Sequence, residues 1–275
     1  VKPGPITPAT RLLVLLGDPV AHSLSPVLQN AALCAEGLDA VYVALRCDAQ
    51  DVPSLIRAIA RAGGGGNITV PHKATALQAI DRRTNAVERT GACNTFWSES
   101  GRVHGDNTDV AGFAAALHGL IPDAAGMRVL LLGAGGAAHA AACALIDAGV
   151  DTVDVLNRTT ARAARLCTRL DPAGRSLRVV THIDRAPFDL IVNATSLGLH
   201  ADDPLPIEPG GLARARALID LVYRAGGTPL VRQASAAGIR AIDGLEMLLQ
   251  QGAAAFECWW QRPAPLEAMR RAVAP

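Results

Sequence analysis

Residues 129–138 read Val129-Leu130-Leu131-Leu132-Gly133-Ala134-Gly135-Gly136-Ala137-Ala138, and this stretch decides the fold. A short apolar run leads straight into a G-x-G-x-x-A turn. The alanine-rich segment after it predicts a helix over 136–148. Gly133 permits the tight turn, Gly135 lets a pyrophosphate approach the backbone, and the small Ala138 allows close helix–strand packing. Unpaired amides and the positive end of the helix dipole then face the phosphates. Together with Ala134, Gly136 and Ala137, these residues form a candidate phosphate loop. The competing reading is a glycine turn made only for packing; the strand before it and the helix after it favour the nucleotide.

The kind of dinucleotide is read about twenty residues further on, at the end of the next strand. An NAD site calls for a carboxylate there. This chain has Asn157-Arg158-Thr159, with Arg162 one turn later. A guanidinium suits a 2′-phosphate by charge and by its fork of donors, so NADP is the expected cofactor. The blander reading makes Arg158 an exposed helix-start residue. Asn193-Ala194-Thr195-Ser196 ends a later strand, where ligands of doubly wound sheets bind, although alone it is only a polar turn.

Outward from this loop, strand and helix signals alternate. Strands are predicted over 11–16, 41–45, 67–70, 92–97, 102–104, 129–132, 153–156, 179–181, 190–193, 218–221 and 240–242. Helices are predicted over 26–36, 52–62, 71–80, 109–120, 136–148, 161–170, from 228, and over 245–260. Such alternation calls for mostly parallel sheets covered by helices, an α/β fold in two domains. Residues 109–244 read as a Rossmann-like, doubly wound NADP-binding domain. Residues 1–108 read as an α/β substrate domain with a mostly parallel sheet. The last helix carries Leu245, Leu248, Leu249, Gly252, Phe256 and Trp259 on one face. That face needs a core to dock on, so helices within 245–275 are expected to complete the first domain.

Composition narrows the function classes. The chain has 275 residues, half of them apolar, and a formal net charge of +1. That balance argues against a nucleic-acid surface or a polybasic membrane patch. The run Leu12–Leu16 is stopped by Gly17-Asp18-Pro19 without a small-residue cleavage pattern, so no signal peptide is expected. The segment 129–146 contains a glycine turn and His139 and is not read as a membrane span. Six scattered cysteines show no C-x-x-C pair and no metal spacing; they read as reduced, buried thiols, with a cytoplasmic location and no metal site expected.

Three polar clusters carry candidate chemistry. Ser23 and Ser25 precede Pro26 at a helix start; Ser25 reads either as an N-cap or, with Ser23, as a binder of a substrate carboxylate. Asn67, Thr69 and Lys73 follow a strand end. Lys73 alone reads as a solvated charge, and Asp109 as a first-turn carboxylate favoured by the helix dipole. Together they make a candidate acid–base pair for hydride chemistry, which needs a group to take or return a hydroxyl proton. Proximity of the two would not decide which is the base.

The chain resembles the shikimate dehydrogenase family. The segments GDPVAHSLSP, GNITVPHK, GACNT, GDNTD, LLGAGGAA, NRTTAR, NATSLG, DLVY with Thr228, and DGLEMLLQQ occur in order from end to end. The resemblance implies an NADP-dependent enzyme that interconverts 3-dehydroshikimate and shikimate on the route to aromatic amino acids, in a cleft between two domains. It implies Lys73 as the catalytic lysine and Asp109 as its partner. Ser23 and Ser25 match the pair holding the substrate carboxylate, with Thr69 and Tyr223 nearby and Asn67 in the same segment. Asn94 and Gln251 match side chains bonding ring hydroxyls. Gly133 to Ala137, Asn157, Arg158, Thr159 and Arg162 match the NADP segments, and Ala194, Thr195, Leu221 and Gly244 match residues near the nicotinamide. Gln29, Asn85 and Val110 depart from the family's usual residues, as does Ala225-Gly226-Gly227 after the tyrosine. The alternatives are a paralogue acting on quinate or aminoshikimate and a non-catalytic NADP sensor. A small-molecule substrate is the expected partner, with no nucleic acid and no membrane, in a monomer or homodimer.

Overall fold

The structure is a computed structural model that describes residues 6–183, 187–200, 202–224 and 226–274; Ala225, the first of the three departing residues after Tyr223 and Arg224, lies outside the described residues. In chain order the elements are β1 (Arg11–Gly17), α1 (Ser25–Ala35), β2 (Ala40–Arg46), α2 (Val52–Arg61), β3 (Gly65–Ile68), β4 (Arg82–Arg83), α3 (Asn85–Thr90), β5 (Thr95–Glu99), β6 (Arg102–Asp106) and α4 (Thr108–Leu120). Then come β7 (Arg128–Leu132), α5 (Gly136–Asp147), β8 (Thr152–Leu156), α6 (Thr160–Leu170), β9 (Leu177–Val180), β10 (Phe188–Asn193), α7 (Pro209–Leu212), β11 (Ala215–Asp220), α8 (Pro229–Ala236), β12 (Arg240–Ile242), α9 (Gly244–Trp260) and α10 (Leu266–Val273). They form two compact units, one of residues 1–111 with 248–274 and one of residues 112–247.

The first unit is built on a sheet in the order β2-β1-β3-β5-β6-β4. β1 pairs in parallel with β2 and β3, and β4 with β6, whereas β5 runs antiparallel to both β3 and β6. α2 buries Val52, Ile56, Ile59 and Ala60, a helical-period stripe, against Val14, Leu16, Ile68 and Phe96. In the last helices Phe256, Trp259 and Met269 are buried, as are Leu28 and Leu33 of α1. The Trp259 indole N–H donates to the Phe96 carbonyl at 3.1 Å.

Three features of this unit depart from the sequence reading. The expected helix over 71–80 is only a 3-10 turn, Thr75–Ala79. Its Lys73 carbonyl accepts the Cys93 N–H at 2.9 Å instead of an i+4 amide, and Leu77 N–H bonds Ala74 instead. A contact twenty residues away has displaced the local ladder. The strand expected over 67–70 begins earlier, inside the glycine run 63–66, as β3 starts at Gly65. A Cβ on Gly66 would lie 2.2 Å from the Val14 carbonyl oxygen, so glycine here lets two strands close up. Helix α3 has no counterpart among the predicted helices; Thr84 caps it by accepting from Val87 N–H, without the Glu that completes a capping box.

The second unit is a fully parallel sheet in the order β12-β11-β10-β7-β8-β9. The order reverses at β7, so the crevice at the carboxyl ends of β7 and β10 is the topological switch point. β7 and β10 are buried almost throughout, as strands covered on both faces must be. Helix α5 buries Ala138, Ala140 to Ala142, Cys143, Ala144 and Leu145; small side chains let it lie close to the sheet.

Candidate active site

The loop after β3 carries Lys73, and the start of α4 carries Asp109. The structure brings them together: the Lys73 ammonium donates to Asp109 Oδ2, with side-chain exposures of 18% and 9%. The other oxygen, Oδ1, accepts from Asn94 Nδ2 at 2.8 Å. Asn94 precedes β5 and is 2% exposed. Its own oxygen accepts the Thr108 backbone N–H at 2.8 Å, which satisfies one of the unpaired amides at the start of α4. The carboxylate thus sits in the first helical turn with both oxygens engaged, where the helix dipole favours its charge.

Ser23 lies between β1 and α1, and Ser25 is the first residue of α1. Ser25 is not the cap expected of it: α1 begins at Ser25 itself, the capping position is Leu24, and no side chain caps the helix. The chain enters α1 already in helical dihedrals, which leaves no geometry for a serine cap. Ser23 Oγ accepts the Ser25 N–H at 3.2 Å, which holds the two residues together. Thr69 N–H donates to the Leu16 carbonyl at 2.8 Å, so the end of β3 lies beside the end of β1. Asn67 is 6% exposed, its oxygen accepts from the Tyr42 hydroxyl at 2.8 Å, and its amide donates to the Asn94 carbonyl at 3.1 Å and Thr95 Oγ1 at 2.9 Å. Both amide hydrogens are used inside the protein, and the oxygen keeps one lone pair. Gln251 on α9 donates to Leu248 O of its own helix at 2.9 Å.

In the second unit Gly133 adopts φ of +110°, which an L side chain resists. Helix α5 starts at Gly136 with Gly135 as its N-cap, and no side chain caps it, so its first amides remain available for an anion. Asn157 Nδ2 donates to the Thr159 carbonyl at 2.8 Å, which shapes the turn after β8. Arg158 and Arg162 are exposed there, and neither guanidinium has a partner among the described residues. A glycine cradle, uncapped helix amides and two unpaired cations fit a phosphorylated dinucleotide. Asn193, fully buried, receives Thr195 N–H at 3.1 Å and Thr195 Oγ1 at 2.7 Å, which fixes the 194–195 turn. Gly244 N–H donates to Val222 O at 3.0 Å, bringing Gly244 to the segment that holds Leu221 and Tyr223.

Tyr42, Thr95 and Thr108 belong to the polar framework of the first unit, yet read in sequence as ordinary strand or helix-start residues. The two Asn-Thr dipeptides, 94–95 and 107–108, are the signal that points to them. His139 also escapes the sequence reading: in the first turn of α5 its ring bonds Gly135 O at 3.0 Å, and burial lowers its pKa from the usual range. Among the described residues no group of three or more His, Cys, Asp or Glu is placed to hold a metal ion, and no helix is long and apolar enough to cross a membrane.

Comparison with known proteins agrees with this geometry. A family model described as the shikimate dehydrogenase substrate binding domain matches residues 15–96. One described as shikimate/quinate 5-dehydrogenase matches 116–201, and the shikimate 5′-dehydrogenase C-terminal domain matches 244–274. The NADP(+)-dependent shikimate dehydrogenase of Moorella thermoacetica is 39% identical over 272 residues, 96% of this chain and 92% of that protein. The crystal structure of shikimate dehydrogenase from Aquifex aeolicus superposes with a TM-score of 0.89 at 35% identity, covering 98% of this chain and all of that one. The Thermus thermophilus shikimate 5-dehydrogenase, solved with NADP(H) and shikimate, gives a TM-score of 0.85 at 38% identity over 95% and 97% of the two chains.

Proposed function

We propose, from the premise that the chain belongs to the shikimate dehydrogenase family, that Lys73 and Asp109 are the acid–base pair of its reaction. The protein is an NADP-dependent oxidoreductase acting on the CH–OH group of shikimate. NADP, when bound, supplies the nicotinamide that accepts or returns the hydride. The observation that carries the role assignment is the commitment of Asp109. Both of its oxygens are engaged, one by Lys73 and one by Asn94. Lys73 is the more exposed of the two and has further N–H directions to offer. Lys73, as the neutral amine, therefore takes the hydroxyl proton as 3-dehydroshikimate forms and, as the ammonium, returns it in the reduction to shikimate. Asp109 holds the amine in line with the reacting hydroxyl.

Ser23, Ser25, Thr69 and Tyr223 are proposed to bind the substrate carboxylate. For Ser25 the support is a hydroxyl that caps no helix. Asn94 has one amide hydrogen left after Asp109, and Gln251 keeps its oxygen; both serve ring hydroxyls. Gly133 to Ala137 hold the pyrophosphate, Asn157 to Arg162 the 2′-phosphate, and Ala194, Thr195, Leu221 and Gly244 flank the nicotinamide. Residues 1–108 with 245–275 are proposed as the substrate domain and 109–244 as the NADP domain. A cytoplasmic location is supported by six scattered cysteines without C-x-x-C or paired spacing, the habit of reduced intracellular chains.

The test is a four-way rate comparison, shikimate or quinate with NADP or NAD, followed by reduced-cofactor absorbance. Fast turnover confined to shikimate and NADP is the expected result. Comparable rates with quinate or NAD would overturn the assignments of Ser25 or Arg158. Light scattering on the same preparation distinguishes a monomer from a homodimer.

A further inference from the structure

Asp109 stands at the end of a chain of buried hydrogen bonds whose two amide orientations are fixed by groups that can act only one way. The Thr108 backbone N–H can only donate, so the atom of Asn94 it meets at 2.8 Å is Oδ1, and the Asn94 amide nitrogen faces Asp109. The Asn94 backbone carbonyl can only accept, so the Asn67 nitrogen meets it at 3.1 Å, and the Asn67 oxygen faces Tyr42. The second Asn67 N–H goes to Thr95 Oγ1 at 2.9 Å, which makes that oxygen an acceptor. Thr95 then directs its own proton to Asn94 Oδ1, 2.9 Å away, or to Thr108 Oγ1, which itself donates to Asn94 Oδ1. Thr108 Oγ1 lies 3.0 Å from the Thr95 hydroxyl and 3.1 Å from Asn94 Oδ1, closing the cluster.

The result is one unbroken run of donors, Tyr42 to Asn67 to Thr95 to Asn94 to Asp109. It starts on β2, crosses over β1 to β3, passes to β5 and ends in the first turn of α4. Tyr42 is 1% exposed, Thr95 is fully buried, and burial pushes the Tyr42 phenol well above its ordinary pKa, so it remains a donor. The Tyr42 ring lies 5.9 Å from that of Trp259, which holds it from the α9 side.

We propose that Tyr42 and Thr95 are positioning residues for the acid–base pair: their donor chain polarises Asn94 toward Asp109 and keeps the carboxylate aimed at Lys73. Aligned hydrogen bonds strengthen one another in a low-dielectric interior. Neither residue touches substrate; both act through Asn94. The proposal rests on the assignment of Lys73 and Asp109 as the acid–base pair.

The experiment compares Tyr42→Phe, Thr95→Val, Thr95→Ser and Asp109→Asn in the full-length enzyme, with kcat, KM for shikimate and the thermal midpoint read for each. Tyr42→Phe and Thr95→Val are expected to lower kcat by about tenfold with KM changed less than about twofold, because the group they position acts only on the chemical step. Thr95→Ser is expected to restore the wild-type kcat. A fall in thermal midpoint with kcat unmoved, while Asp109→Asn is inactive, would show a purely structural network and overturn the proposal. Near-normal turnover by Asp109→Asn would instead overturn the acid–base reading, and the proposal with it. Should Thr95→Val fail to fold, the isosteric Tyr42→Phe decides between these outcomes by the same readouts.

Discussion

Gly133 and Ala194 meet so closely that a Cβ on the glycine would lie 2.8 Å from the Ala194 carbonyl oxygen. Ala194 N–H in turn donates to Leu132 O at 2.8 Å, and Gly133 N–H to Leu156 O at 2.8 Å. The phosphate turn is therefore clamped between the ends of β8 and β10. Gly133→Ala faces both this contact and a φ of +110°. It is expected to cost about 1–3 kcal/mol of stability and to displace the turn, raising the Kd for NADP more than tenfold. Calorimetric titration with NADP checks this; unchanged affinity would show that the turn does not receive the cofactor.

Arg158 offers an unpaired cation after β8. Arg158→Ala is expected to raise KM for NADP by about ten- to a hundredfold, the loss of one or two charge-assisted bonds to a 2′-phosphate. KM for NAD should change little, since that cofactor has no phosphate there. Equal effects on both cofactors would remove Arg158 from the selectivity determinant.

Lys73→Ala removes the proposed proton carrier and leaves Asp109 with only its Asn94 bond. A drop in kcat of roughly 10²–10⁴-fold with modest change in KM is expected from steady-state rates with shikimate. Near-normal turnover would remove Lys73 from the chemistry.

Asp220 ends β11 fully buried, accepting from Asn193 Nδ2 at 2.8 Å, Val222 N–H at 3.1 Å and the Thr228 hydroxyl at 2.6 Å. Burial raises its pKa, only partly offset by the bonds from Thr228, Val222 and Asn193. A carboxyl whose folded pKa is raised contributes stability below its unfolded value, and that contribution is lost as pH rises through the folded value. Relative to Asp220→Asn, the wild type should therefore lose stability as pH climbs from about 4, the ordinary aspartate range. Urea unfolding of both proteins at several pH values checks the sign, and parallel stability curves would refute it. Asp220→Ala strands three donors at once and should cost about 2–4 kcal/mol.

Several features of this protein are legible in the sequence because they are local. The apolar run into Gly133, the cation after β8 and the alternation of strand and helix each lie within one or two elements, where period and turn chemistry decide the outcome. The parallel sheets and the phosphate turn follow from them. The proposed acid–base residues are legible as types in a pattern, but Lys73 and Asp109 are 36 positions apart, and only folding places one on the other.

The tertiary structure decided what local chemistry left open. The stretch 71–80 has helical residues, yet the Cys93 amide takes the Lys73 carbonyl and leaves a single 3-10 turn that presents the lysine. Ser25 has the composition of a cap, yet the angle at which the chain enters α1 frees its hydroxyl. Asn67 reads as a polar residue at a strand end, and only folding brings to its oxygen the hydroxyl of Tyr42, 25 positions away. A side-chain amide has no preferred direction of its own. Its two ends are told apart only by what they meet, and in this site the deciding groups are the backbone N–H of Thr108, at the start of α4, and the backbone carbonyl of Asn94, just before β5.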